Sequence, residues 1–220
     1  MSNIITIGYS TEGTTDRRFL ENVIKNTFED VAFDSLGAVE VYAPIYIDFP
    51  RGNFNEAVLK LSKTAADIGV YVLCIHVDAD SQSDHEVFTN KINPAMKTIE
   101  QAMGDNLCDN IVAIVPIQMT ESWLLADKEL FKREIGTGMS DNDLKINKDP
   151  ESIADPKQVI EEALRIAQNH LPSRRKKIKI GDIYQPIGQN LTADKLGAME
   201  SYRKFKNAVI EAFRRLNYLT

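Results

Sequence analysis

The sequence holds only two cysteines, Cys74 and Cys108, in 220 residues. That is too few for a disulfide framework, and the spacing is wrong for a CxxC-type zinc site. Cys74 lies inside the apolar run VYVLCIHV, which reads as a buried structural thiol rather than a ligand. No apolar run approaches the roughly 20 residues that cross a bilayer. The opening MSNIITIGYS lacks a basic leader followed by an apolar stretch and a small-residue cleavage site. The expectation is a reduced, cytoplasmic protein without a membrane partner. Glycine and proline are also scarce, which excludes a collagen-like chain. What is present, 43% apolar and 26% charged residues, suits one sizeable globular domain or a domain with an appendage.

The formal charge of -6 is unevenly spread. The last fifty residues carry 11 Lys or Arg and four acids, which leaves the first 170 with 15 bases and 28 acids, a balance of +7 against -13. A basic segment beside an acidic body suits a phosphate-rich partner, with acids gathering a divalent metal and bases gathering the backbone. The same bias also describes ordinary solvated helix faces.

Strand and helix patterns alternate four times. Residues 3–9, 39–47, 70–77 and 110–117 are β-rich, and the third and fourth are apolar enough to be covered on both faces. Between them, Phe19, Leu20, Val23, Ile24 and Phe28 recur at helical spacing, as do Ala57, Val58, Leu61, Ala65 and Ile68, with Gly69 as a C-terminal cap. A third helix is expected near residues 90–103, and a single helix over TESWLLADKELFKREIG with Trp123, Leu124 and Phe131 on its apolar side. The pattern predicts an α/β fold: a three-layer, Rossmann-like parallel sheet of about four strands flanked by helices. Residues 1–136 would form this domain, and 137–220 a mostly helical C-terminal appendage. That appendage begins with a polar stretch over 137–156, which suits a mobile loop or a small insertion, and has helices near 157–169 and 193–217. The basic stretch between those two helices contains too much Pro and Gly for a long helix.

Ligands of open parallel sheets bind beyond the carboxyl ends of the strands, and acids collect there. Glu12 follows the first strand in TEGTTD, where Gly13 permits a sharp bend and Thr14 or Thr15 can cap the next helix. Asp78 and Asp80 end the third strand in HVDADS; extended backbone would turn both to one side, where a cation would relieve their repulsion. Glu121 follows the fourth strand, with Asp127 deeper in the helix. Each has a plainer reading, a favourable carboxylate at a helix N-terminus, with Thr120 as the cap before Glu121. His76 shares a strand face with Asp78, and His85 lies in the polar loop; neither receives a role.

A glutamate after the first strand in TEGTTDRRFL and an Asp-x-Asp after the third in HVDADS resemble the Toprim catalytic domain. Topoisomerases, bacterial primases, nucleases of the overcoming-lysogenization-defect type and small stand-alone proteins share that domain. The resemblance covers about residues 1–135. It is strongest to the small proteins in which EGxTD, DxD and a later glutamate followed by tryptophan (Glu121 and Trp123) recur, several of them from bacterial anti-phage or abortive-infection systems. It implies a Mg²⁺-dependent (or Mn²⁺-dependent) phosphoryl-transfer centre, with Glu12 as general acid or base and Asp78 and Asp80 as metal ligands; Glu121 is the further acidic candidate. With no topoisomerase tyrosine module or primase zinc domain recognisable, the activity implied is nuclease action on DNA or RNA. Arg174, Arg175, Lys176, Lys177 and Lys179, with cations of the last helix, would hold the nucleic-acid backbone, and Tyr184 and Tyr202 could stack on bases. The rivals are a nucleotide-sugar transferase or an aspartyl phosphatase, neither of which suits the acids' positions, and a metal-binding, non-catalytic subunit that acts with a partner such as an ATPase.

Overall fold

A computed structural model describes residues 3–102, 106–169 and 177–220. The chain forms an α/β fold around a parallel sheet. The first two β-rich stretches are each interrupted. β1 (Asn3–Ile5) and β2 (Ile7–Ser10) are separated at Thr6, whose carbonyl accepts from the N–H of Tyr71 and Val72. β3 (Val39–Val41) and β4 (Ile45–Tyr46) are separated by a segment containing Pro44, which has no N–H to donate. β1 pairs with β3 in a two-stranded sheet. β4, β2, β5 (Val72–His76) and β6 (Ile111–Ile114) form the main sheet in the order β4-β2-β5-β6, every pair parallel. β5 is central and buried along its whole length, as its unbroken apolar run requires.

Alternation along β2 and β5 divides the core between two faces. On one face Ile7, Tyr9, Val72 and Cys74 meet α1 (Thr14–Phe33), α8 (Ile180–Asn190) and α10 (Glu200–Arg215). On the other, Leu73, Ile75 and Val77 meet α2 (Phe54–Asp67) and α4 (Asn93–Gln101). Gly69 follows α2 with φ 76°, the left-handed cap expected of it. The third helix starts earlier than its periodicity suggests, with α3 (His85–Val87) running through a π-helical segment, Phe88–Ile92, into α4.

The helix expected after the fourth strand is two helices, α5 (Glu121–Leu124) and α6 (Lys128–Glu134). Asp127 is the cause. Instead of lying deep in one helix it caps the second, its carboxylate accepting from the N–H of Glu129 and Leu130. The stretch 137–156 is not a solvated loop, because Leu144 and Ile146 are fully buried and Ile153 nearly so. The core also continues across residue 136, where a division was expected: Phe131, Leu144, Ile160 of α7 (Pro156–Ala167), Ile187 and Phe213 share one cluster with the sheet. The stretch thought too rich in Pro and Gly for a long helix holds the 11-residue α8, with Pro186 inside it. There Gly188 is required, since a Cβ would stand 2.8 Å from the Phe19 carbonyl oxygen of α1. A short helix, α9 (Ala193–Leu196), leads to α10.

Candidate active site at the carboxyl edge

Chain order and sheet order part company between β2 and β5. α1 leaves β2 toward β4 on one face, and the chain returns through α2 on the other to place β5 on β2's opposite side. Beyond the carboxyl ends of these two strands is the crevice where open α/β sheets take ligands.

Asp78 lies two residues past β5, and its Oδ1 collects three contacts: the Thr120 N–H at 2.8 Å, the Thr120 hydroxyl at 3.1 Å and His76 Nε2 at 3.2 Å. His76 is fully buried and its Nε2 also stands 2.8 Å from Thr120 Oγ1. Its Nδ1 is buried without a partner among the described residues. Burial works against the charge of Asp78, but the hydrogen bond and charge of His76, then the donors of Thr120, hold its pKa below the ordinary value. Burial likewise disfavours the His76 imidazolium, yet the bond to Asp78 and the charges of Asp78, Asp16 and Glu12 outweigh it and raise its pKa. Thr120 thus spends its hydroxyl on Asp78 and His76 and makes no side-chain cap for α5, so the plainer capping reading does not describe it.

Glu121, the first residue of α5, is buried, and its Oε1 accepts the Tyr184 hydroxyl of α8 at 2.5 Å. Asp16 is the acid that the strand-end reading passed over. It sits in the first turn of α1, is 7% exposed, and accepts the Gly13 N–H. Gly13 is the N-cap residue of the helix, and a Cβ there would collide with Asp16 Oδ2. Burial pushes the Asp16 carboxyl up to about 6. The charges of Asp78 and Glu121 add to the rise, against His76 and the Gly13 N–H. The signal in the sequence was the EGxTD pattern itself, which ends on this residue.

The other expected residues are placed differently. Glu12 is exposed, with Lys91 of the π-helical segment 3.7 Å away. Asp80 does not share a side with Asp78 through strand alternation, because the strand has ended. Its φ is 49°, its N–H donates to the Gln118 carbonyl, and it is exposed. Tyr184 and Tyr202 are both buried, one on Glu121 and the other 3.0 Å from the Thr27 hydroxyl, so neither offers a face to a base. Trp123 is core, its indole N–H donating to Ser201. Both cysteines are buried, with the Cys108 thiol pushed up to about 11, chiefly by burial.

Arg174, Arg175 and Lys176 lie outside the described residues. Lys177 and Lys179 are exposed beside α7, where Gln168 brackets Ile178 with two hydrogen bonds, and Lys179 leads directly into α8. Cations of α10 are engaged within the chain, Lys204 with Asp84 and Glu200, Lys206 with Asp30 and Arg214 with Glu211.

The chain belongs to the DUF4276 family. The model of that family, described as a domain of unknown function, matches residues 11–188. The match takes in Glu12, Asp16, Asp78, Glu121 and Tyr184. No curated protein and no solved structure matches the chain. No helix among the described residues is long and apolar enough to cross a membrane.

Among the described residues no three His, Cys, Asp or Glu side chains stand as a ready-made metal cage. Mg²⁺ asks for less, commonly one or two carboxylates with the remaining positions left to water and phosphate. The donors at this edge are hard oxygens. Asp16 is raised chiefly by burial, and the charges of Asp78 and Glu121 add to the rise, so a cation here would neutralise charge that burial disfavours. The donor set therefore suits Mg²⁺ or Mn²⁺ in kind.

Proposed function

We propose that the carboxyl edge of β2 and β5 is a Mg²⁺-dependent phosphoryl-transfer site and that its reaction is hydrolysis of nucleic-acid phosphodiesters, as the Toprim resemblance implies. The observation that carries this reading is the gathering of Asp16, Asp78 and Glu121 near the switch point of the sheet, where burial first, and then the charges of Asp78 and Glu121, raise Asp16 to about 6. When bound, Mg²⁺ would polarise the scissile phosphate and activate a water. The three hydrogen-bond contacts at Asp78 all fall on Oδ1, so Oδ2 would be the oxygen left to hold a cation. His76 and Thr120 fix that carboxylate and keep it ionised. Glu12 is exposed at the rim, and in this reading it would serve as the general acid or base. Asp80 extends the acidic rim outward. Defence against phage is the biological setting suggested by the same resemblance.

A second reading draws on the α10 cations. Because Lys204, Lys206 and Arg214 are paired with acids of this chain, they offer less to a phosphate backbone than their number suggests. This favours a metal-binding subunit that acts with a partner such as an ATPase.

The test is incubation of purified protein with mixed DNA and RNA in Mg²⁺ or Mn²⁺, beside folded Glu12→Ala and Asp78→Ala variants. Cleavage by the wild type that is lost in both variants and in chelator is the expected result. Absence of cleavage under every metal, with retained cation binding, would favour the second reading.

A further inference from the structure

Glu121 belongs to a helix of four residues, too short to hold its own geometry. Beside the Ser122 hydroxyl's bond to the Ile117 carbonyl, two side-chain ties reach it from the region beyond residue 136. Tyr184 donates its hydroxyl to Glu121 Oε1 at 2.5 Å. The Trp123 indole N–H donates to Ser201 Oγ at 2.8 Å, and that hydroxyl donates in turn to Glu151 Oε1. The first tie is buried at both ends, with Tyr184 1% exposed and Glu121 7%.

The same helix governs the opposite carboxylate. Tyr184 and Gly188 are one turn apart on a single face of α8. Tyr184 reaches Glu121, while Gly188 rests against the backbone of Phe19 in α1, the helix whose first turn carries Asp16. A change in the seat of α8 therefore changes the spacing between Asp16 and Glu121. A phenol-to-carboxylate bond is charge-assisted and directional, and it leaves Glu121 one orientation in place of a set of rotamers.

We propose that Tyr184 is a positioning residue that holds Glu121 toward the cation site, so that α8 is a working part of that site. This rests on the carboxylate reading above. Mg²⁺ then meets a carboxylate whose ordering has already been done, and loss of the phenol oxygen weakens cation binding while the core stays filled by the ring.

The test is Mg²⁺ titration, followed by thermal melting, of the wild type, Tyr184→Phe, Glu121→Gln and the double variant. The expected result is a half-saturating Mg²⁺ concentration raised about 10- to 100-fold in Tyr184→Phe, with no further rise when that change is added to Glu121→Gln. Isothermal titration at low temperature gives the same comparison for any variant that melts early. A wild type that Mg²⁺ neither binds nor stabilises overturns the carboxylate reading and this inference with it. A wild type that binds Mg²⁺, with Tyr184→Phe unchanged or weakened equally in the Glu121→Gln background, overturns the role of Tyr184 alone.

Discussion

Asp16 stands four residues after Glu12, and burial separates the two: Asp16 lies within the crevice and Glu12 at its rim. A carboxyl raised from 3.8 to about 6 binds a proton in the folded chain that the unfolded chain has already released. The stability it contributes is complete below pH 4 and is lost as pH rises through 6. Asp78 runs the other way, its lowered pKa giving stability above the ordinary carboxyl range that is lost as pH falls. In chelator at pH 8, Asp16→Asn should therefore stabilise the protein by about 3 kcal/mol, since one pKa unit corresponds to about 1.4 kcal/mol. The gain should vanish at pH 4, and the variant should lose the stabilisation given by Mg²⁺. Melting curves at the two pH values, with and without the cation, check this; a destabilised variant at pH 8 would contradict the electrostatics. Glu12, Asp78 and Glu121 were visible as acids after apolar strands. Asp16 was hidden because residues in the first turn of a helix are ordinarily solvated, and only the close approach allowed by Gly13 brings its carboxylate inward.

Elements with a strong period were legible, and those set by single side chains were not. The apolar run of β5 and the spacing of α1 and α2 declare themselves because burial there is continuous. The break between α5 and α6 depends on one capping aspartate inside an otherwise helical pattern. Residues 137–156 look like a loop because Leu144, Ile146 and Ile153 are spaced by polar residues with no regular period, yet each fills the core. Leu144→Ala should cost about 2 to 5 kcal/mol, the range for a truncated core leucine, measured by denaturant unfolding. A cost below 0.5 kcal/mol would mean that the stretch is as mobile as its composition suggests. Tyr184 stayed out of reach for a related reason, since a tyrosine in a basic, Pro-containing stretch gives no hint that α8 turns it toward an acid 63 residues earlier.

Across the whole molecule, the division of charge between an acidic body and a basic tail does not follow a division of structure. Helices α8 and α10 share the core of the sheet, and the cations of α10 bind acids on their own helix, on α1 and in the turn before α3. What the C-terminal region brings to the carboxyl edge is a tyrosine and a brace on α5. The central claim is that this edge holds a divalent cation on Asp16, Asp78 and Glu121. The most direct measurement is Mn²⁺ binding to the purified protein by electron paramagnetic resonance, with competition by Mg²⁺. Saturable binding that Mg²⁺ displaces, and that Asp16→Asn and Asp78→Asn each weaken at least tenfold while remaining folded, is the predicted result. Wild-type protein that binds no Mn²⁺, or binds it equally well in both variants, would contradict it.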